Sequence, residues 1–145
     1  MTEGPITYAG VVHPWHCDAM GHMNVTWYVS KFDEATWCLF ALLGVTRSYM
    51  QQNRRAMAAV EQTLHYRREL RAGDTVTVRS RVLEVREKVI RYSHEMVNND
   101  TREIAAVTEL TSVHFDADAR KSCPFPAEIL ERLRRAVAEA GGTEP

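Results

Sequence analysis

The chain has 145 residues and a mass of 16.6 kDa, which suits one domain spanning residues 1–145. Its 18 Lys and Arg against 19 Asp and Glu leave a formal net charge of −1, so it lacks the basic surface of a non-specific nucleic-acid binder. With 45% hydrophobic residues it also lacks the composition of a disordered chain.

No apolar run approaches the ~20 residues needed to span a membrane. The opening residues carry no basic segment or apolar core of a signal peptide. Cys17, Cys38 and Cys123 are odd in number and far apart, which is neither a disulfide framework nor a zinc motif. These features predict a cytoplasmic protein.

The first element is a strand over residues 6–15. It is followed by Pro14-Trp15-His16-Cys17-Asp18-Ala19-Met20-Gly21-His22-Met23-Asn24, which has no clean periodicity and contains Pro and Gly, the marks of a structured loop. Residues 25–43 predict one long helix. Tyr28, Phe32, Ala35, Leu39 and Leu42 recur at spacings of four and three and line one face. Val25, Val29, Thr36, Phe40 and Leu43 form a second stripe, which leaves a thin polar face of Ser30, Lys31, Asp33 and Glu34. A helix this apolar is expected to be covered on several sides. Asn24 suits its N-cap and Gly44 its C-terminal stop.

Strands follow. Residues 56–70 read as a long strand ending at the turn Ala72-Gly73-Asp74. Residues 75–85 alternate with period two, Val76, Val78, Ser80 and Val82 on one face. Residues 89–97 alternate likewise through Ile90, Tyr92, His94 and Met96, and end at Asn98-Asn99-Asp100. Residues 102–115 form a last strand, apolar on both faces near Ile104. An amphipathic helix over residues 126–140 closes the chain, with Ile129, Leu130, Leu133 and Val137 as its stripe. Consecutive strands with short turns predict an antiparallel sheet. One nearly all-apolar helix beside it predicts an α+β fold in which a sheet of about five strands curls around that helix. Pairing in a dimer would manage the free sheet edges.

The chemistry concentrates just before the long helix, in His13, His16, Cys17, Asp18 and His22. A helix N-terminus offers unpaired N–H groups and partial positive charge, which can hold a developing oxyanion. A carboxylate beside those donors can attack a carbonyl or activate water. Acyl transfer needs this pair of functions.

Asp18-Ala19-Met20-Gly21-His22-Met23-Asn24, followed by Tyr28 and Phe32-x-x-Ala35, resembles the Asp-x-x-Gly-His-x-Asn signature of the hotdog-fold acyl-CoA thioesterases, in their hydroxybenzoyl-CoA thioesterase branch. Tyr66-Arg67-Arg68-Glu69-Leu70-Arg71-Ala72-Gly73-Asp74 is similar to that family's strand-turn segment, and Lys121-Ser122-Cys123-Pro124-Phe125-Pro126 to its Lys-x-x-Pro-x-Pro ending. The resemblance implies a hotdog fold, a homodimer or a tetramer of dimers with active sites at the dimer interface, and hydrolysis of a small acyl-CoA without a metal or redox cofactor, coenzyme A being part of the substrate. It places the catalytic carboxylate on Asp18, as nucleophile or as general base, with His22 and Tyr28 nearby. It places the oxyanion site on backbone amides of Gly21, His22, Met23 and Asn24. His16 and Val25 depart from the family, many members of which carry Asp and a second Asn there.

Trp15-His16-Cys17-Asp18 and Phe32-Asp33-Glu34-Ala35-Thr36-Trp37 are similar to the thioesterase partners of carnitine dehydrogenase, which act on betainyl-CoA, a trimethylammonium thioester. Trp15, His16, Trp27, Tyr28 and Glu61 are therefore expected at the substrate, since aromatic faces attract quaternary ammonium groups. Arg67, Arg68 and Arg71 either form a solvated face or meet the coenzyme A phosphates. Three rival readings remain open at this level. His13, His16, Asp18 and His22 could share a metal in a hydrolase; Cys17 could be a nucleophile with a histidine base; or the chain could bind acyl-CoA without turning it over.

Overall fold

A computed structural model describes residues 4–141. The elements in order are β1 (Ile6–Val11), a 3-10 turn (Pro14–His16), α1 (Val25–Leu42), α2 (Arg47–Asn53), β2 (Arg55–Tyr66), β3 (Thr75–Val85), β4 (Val89–Asn98), β5 (Ile104–Asp116), β6 (Lys121–Ser122) and α3 (Ala127–Gly141). The expected first strand, long helix, four long strands and closing helix are all present. Helix α2 and the two-residue β6 carry too little periodicity to be seen in the sequence. The first strand stops at Val11 rather than running to Trp15, because Pro14 opens the 3-10 turn.

The sheet is antiparallel throughout, in the order β1-β3-β4-β5-β2, with β6 paired to β5. This corrects one expectation. The turn at Gly73 (φ +96°) does not fold β2 back onto β3. Gly73 N–H donates to the Val12 carbonyl and Val12 N–H to the Asp74 carbonyl, each at 2.8 Å, so the turn belongs to the β1 edge. Strand β2 pairs instead with β5 at the opposite edge. The eight residues between Tyr66 and Thr75 extend to roughly 26–29 Å, ample for the three strand spacings of about 14 Å that separate β2 from β3. Leu70 is fully buried along this crossing.

The inner sheet face follows the predicted alternation. Val76, Val78, Ser80 and Val82 are buried, as are Ile90, Tyr92, His94 and Met96. Helix α1 lies on that face through Tyr28, Phe32, Ala35 and Leu39, joined by Thr36 and Phe40. Its cover is narrower than expected: Val25, Val29, Trp37 and Leu42 stay exposed. Lys31, assigned to the polar face from sequence, is only 3% exposed. Its stem runs inward and its ammonium donates to the Tyr8 hydroxyl at 2.7 Å.

A polar chain threads this interior. Thr36 Oγ1 donates to the Phe32 carbonyl at 3.1 Å and lies 2.8 Å from His94 Nε2, while Ser80 Oγ lies 2.6 Å from His94 Nδ1. Because the Thr36 proton is committed to Phe32, His94 Nε2 donates and His94 Nδ1 accepts from Ser80. Burial holds this imidazole neutral and pushes its pKa down to about 3.

Candidate active site

The loop before α1 is a small closed hairpin. Asp18 N–H donates to the His22 carbonyl at 3.1 Å and Asn24 N–H to the His16 carbonyl at 2.9 Å, bridging Cys17 and Met23. Gly21 turns the tip with φ +88°, a conformation in which side chains are strained. Met23 N–H anchors the base of the hairpin on the Leu70 carbonyl at 2.7 Å.

Asp18 stands at the rim of this hairpin. Its Oδ1 accepts from Met20 N–H at 2.9 Å and its Oδ2 from Asn24 Nδ2 at 3.1 Å. The same Asn24 caps α1, its Oδ1 accepting from Thr26 N–H at 3.0 Å. The Asn24 hydrogen bond, then that of Met20, hold the Asp18 carboxyl below the ordinary range, so it is a ready carboxylate. Gly21, Met23 and Asn24 all donate their amides to loop or crossing carbonyls. Among the described residues the amides of His22 and Val25 have no hydrogen-bond partner. Three of the four amides expected at the oxyanion, those of Gly21, Met23 and Asn24, are thus occupied within the loop, whereas that of His22 and that of Val25, the first residue of α1, are open.

Those two residues border a cavity of about 280 Å³, lined also by Met23, Tyr28, Tyr66, Arg67, Arg68 and Glu69. Tyr28 and Tyr66 meet edge to face at 5.1 Å between centroids. Tyr28 Oη donates to the Arg68 carbonyl at 3.3 Å. Burial, then the neighbouring Tyr66 and Glu69, push the Tyr28 phenol up to about 12, so it stays protonated at neutral pH. His22 Nε2 lies 3.3 Å from Glu69 Oε1. Tyr66 and Glu69 were quoted in the sequence as part of a strand-turn segment; their place at the site depends on how β2 ends beside α1.

The other expected residues fall in different places. Trp15 stacks on His13 at 4.2 Å and 9°, and His16 packs against Trp27 at 4.6 Å. This aromatic wall flanks the hairpin. His16 Nδ1 accepts from His13 N–H at 2.9 Å, and burial, then Lys31 and His13, lower its pKa. Glu61 is exposed on the β2 edge beside an irregularity between Ala59 and Glu61, and does not line the cavity. Arg67 and Arg68 do line it, whereas Arg71 flanks it, 3.9 Å from Glu69. Cys17 Sγ donates to the His13 carbonyl at 3.8 Å. Among the described residues no three His, Cys, Asp or Glu side chains converge as a metal-holding group; His13, His16, Asp18 and His22 are spread along the hairpin.

Residues 12–133 match the family model described as the thioesterase-like superfamily. The chain belongs to that superfamily. It is 28% identical over 140 residues to a betainyl-CoA thioesterase of Pseudomonas aeruginosa, covering 97% of this chain and 87% of that protein. It is also 28% identical over 128 residues to an L-carnitine dehydrogenase/betainyl-CoA thioesterase of Agrobacterium fabrum, of which it spans only 26%. Its fold superposes on a putative thioesterase of Pseudomonas putida with a TM-score of 0.82 at 24% identity, covering 98% and 90% of the two chains. A Staphylococcus aureus protein solved in complex with CoA superposes with a TM-score of 0.87 at 17% identity, covering 93% and 85%. The curled sheet around α1 is thus the hotdog fold of these proteins, and the chain is a thioester hydrolase of that superfamily.

Proposed function

We propose that this thioesterase hydrolyses a small acyl-CoA at Asp18, and that its preferred acyl group carries a quaternary ammonium, as in betainyl-CoA. The observation that carries the reading is the Asp18 carboxylate, held by Met20 and Asn24 beside the open amides of His22 and Val25. Those amides receive the thioester carbonyl oxygen as it becomes negative. Asp18 then acts in one of two ways. As a base it takes a proton from water while the hydroxyl oxygen bonds to the carbonyl carbon. As a nucleophile it bonds to that carbon itself and water cleaves the resulting anhydride. In both, the C–S bond breaks and the coenzyme A thiolate takes up a proton.

The names of the two relatives and the density of aromatic rings around the hairpin support the ammonium substrate. Arg67, which also borders a groove on the outer sheet surface, suits a coenzyme A phosphate. The twelve-residue β2 at a sheet edge, with Val60 61% exposed, supports a homodimer closed by edge pairing and placing the sites at its interface. Three free cysteines and no helix long and apolar enough to cross a membrane among the described residues are compatible with the cytoplasm.

Free-thiol release from betainyl-, acetyl-, benzoyl- and medium-chain acyl-CoA tests both parts. Turnover fastest on betainyl-CoA is expected. Binding without thiol release from any of the four would make the protein an acyl-CoA-binding module, and a flat response would remove the ammonium substrate.

A further inference from the structure

Resting on the reading that the acyl group carries a quaternary ammonium, we infer that this cation is seated on Tyr28 and Tyr66 with Glu69, and not on the tryptophan wall. The two tyrosine rings meet edge to face in the cavity that also borders the open His22 and Val25 amides. A thioester carbonyl received at those amides, as our reading has it, would have this cavity beside it for its acyl arm. Tyrosine faces attract a trimethylammonium group, and Glu69 adds the one carboxylate of the cavity lining.

A quaternary ammonium has no N–H, so it does not compete for hydrogen bonds already made. Glu69 keeps its contact with His22 at 3.3 Å and its longer contact with Arg71 while its charge faces the cation. The neighbouring arginines are arranged compatibly. Arg68 Nε is bound to Glu103 Oε2 at 2.5 Å. Arg67 lies at the rim, where it also faces a second groove on the outer sheet surface that contains Glu95 and Glu109.

The tryptophan wall has a buried cation behind it. Trp27 and Lys31 are four residues apart on α1, hence on one side of the helix. The Lys31 ammonium is buried behind the wall, with the Tyr8 hydroxyl as its hydrogen-bond acceptor and no carboxylate bound to it among the described residues. A second cation over Trp15 and Trp27 would be repelled by it.

The test compares betainyl-CoA with tert-butylacetyl-CoA, which has the same shape with a neutral quaternary carbon in place of nitrogen. The readout is the ratio of the two kcat/KM values, so a general loss of activity divides out. Wild type is expected to favour the cation by about tenfold, the scale of a partly desolvated cation–π contact. Tyr66→Leu and Glu69→Gln are each expected to cut that ratio by about three- to fivefold. A wild-type ratio near one would overturn the substrate reading and this seat together. A high wild-type ratio that survives both substitutions, or that collapses in Trp15→Leu instead, would overturn the seat and leave the substrate reading standing.

Discussion

The two ends of α1 are built on the same backbone and treated in opposite ways. At the C-terminus every one of the last four carbonyls is taken. Leu39, Phe40 and Ala41 accept from the amides of Leu43, Val45 and Gly44, and Leu42 accepts from Arg132 Nη2 at 2.5 Å. At the N-terminus Asn24 caps Thr26 but leaves the Val25 amide open, next to the open His22 amide and the Asp18 carboxylate. A helix leaves about four orphan groups at each end. This fold closes one set completely and leaves part of the other open. The donor positions at the working end are rigid because the hairpin's remaining amides are spent on holding its shape.

Breaking the N-terminal end at its carboxylate should have the largest effect. Asp18→Asn is expected to lower kcat by on the order of 10²–10⁴-fold, the range for losing a positioned acid or base, with an unchanged melting temperature. Near-normal kcat on the best substrate would remove Asp18 from the chemistry.

The middle of α1 offers a purely structural contrast through Thr36 and His94. His94 is neutral in the fold, with its pKa near 3 against 6.5 when unfolded. Its lowered pKa means that its contribution is complete above pH ~6.5 and falls as pH drops toward about 3, by at most ~1.4 kcal/mol per pH unit. Urea unfolding at a series of pH values should show this decline, and His94→Gln should flatten it. An equally steep decline in the variant would assign the acid sensitivity elsewhere.

Asn24→Ser separates the two duties of the cap. Serine still accepts from the helix amide but no longer donates to Asp18. The Asp18 pKa should rise, and since the carboxylate is the active form, the acid limb of kcat/KM should move to higher pH, with kcat down about tenfold. A lower rate with an unmoved acid limb would reduce Asn24 to a structural cap.

The smallest effect is expected at the closed end. Arg132→Ala should cost about 1 kcal/mol of stability, the value of one hydrogen bond, and leave kcat unaltered. A substantial loss of kcat would mean that the two ends are coupled.

Much of this was legible locally. The inward alternation of β3 and β4 and the Tyr28, Phe32, Ala35, Leu39 stripe are properties of single elements, so period alone exposes them. The loop with Asp18 and Asn24 was legible because Gly21, the cap and the carboxylate lie within seven consecutive residues, whereas its closure into a hairpin was not. Leu42 was read as core and is exposed, because the apolar stripe outruns the sheet that covers it.

By itself, then, the sequence determined the long helix, the four long strands and the closing helix, most of the faces they bury, and that a carboxylate precedes a helix N-terminus. Tertiary structure decided what depends on partners far along the chain. It placed β2 at the edge opposite β3, since the Gly73 turn is held by β1 and the intervening residues are long enough to cross. It buried Lys31, since Tyr8 supplies an acceptor. It determined which loop amides are occupied, and brought Tyr66 and Glu69 to Tyr28. Periodicity reports how one element meets an interior; it carries no record of which distant strand or hydroxyl will be there.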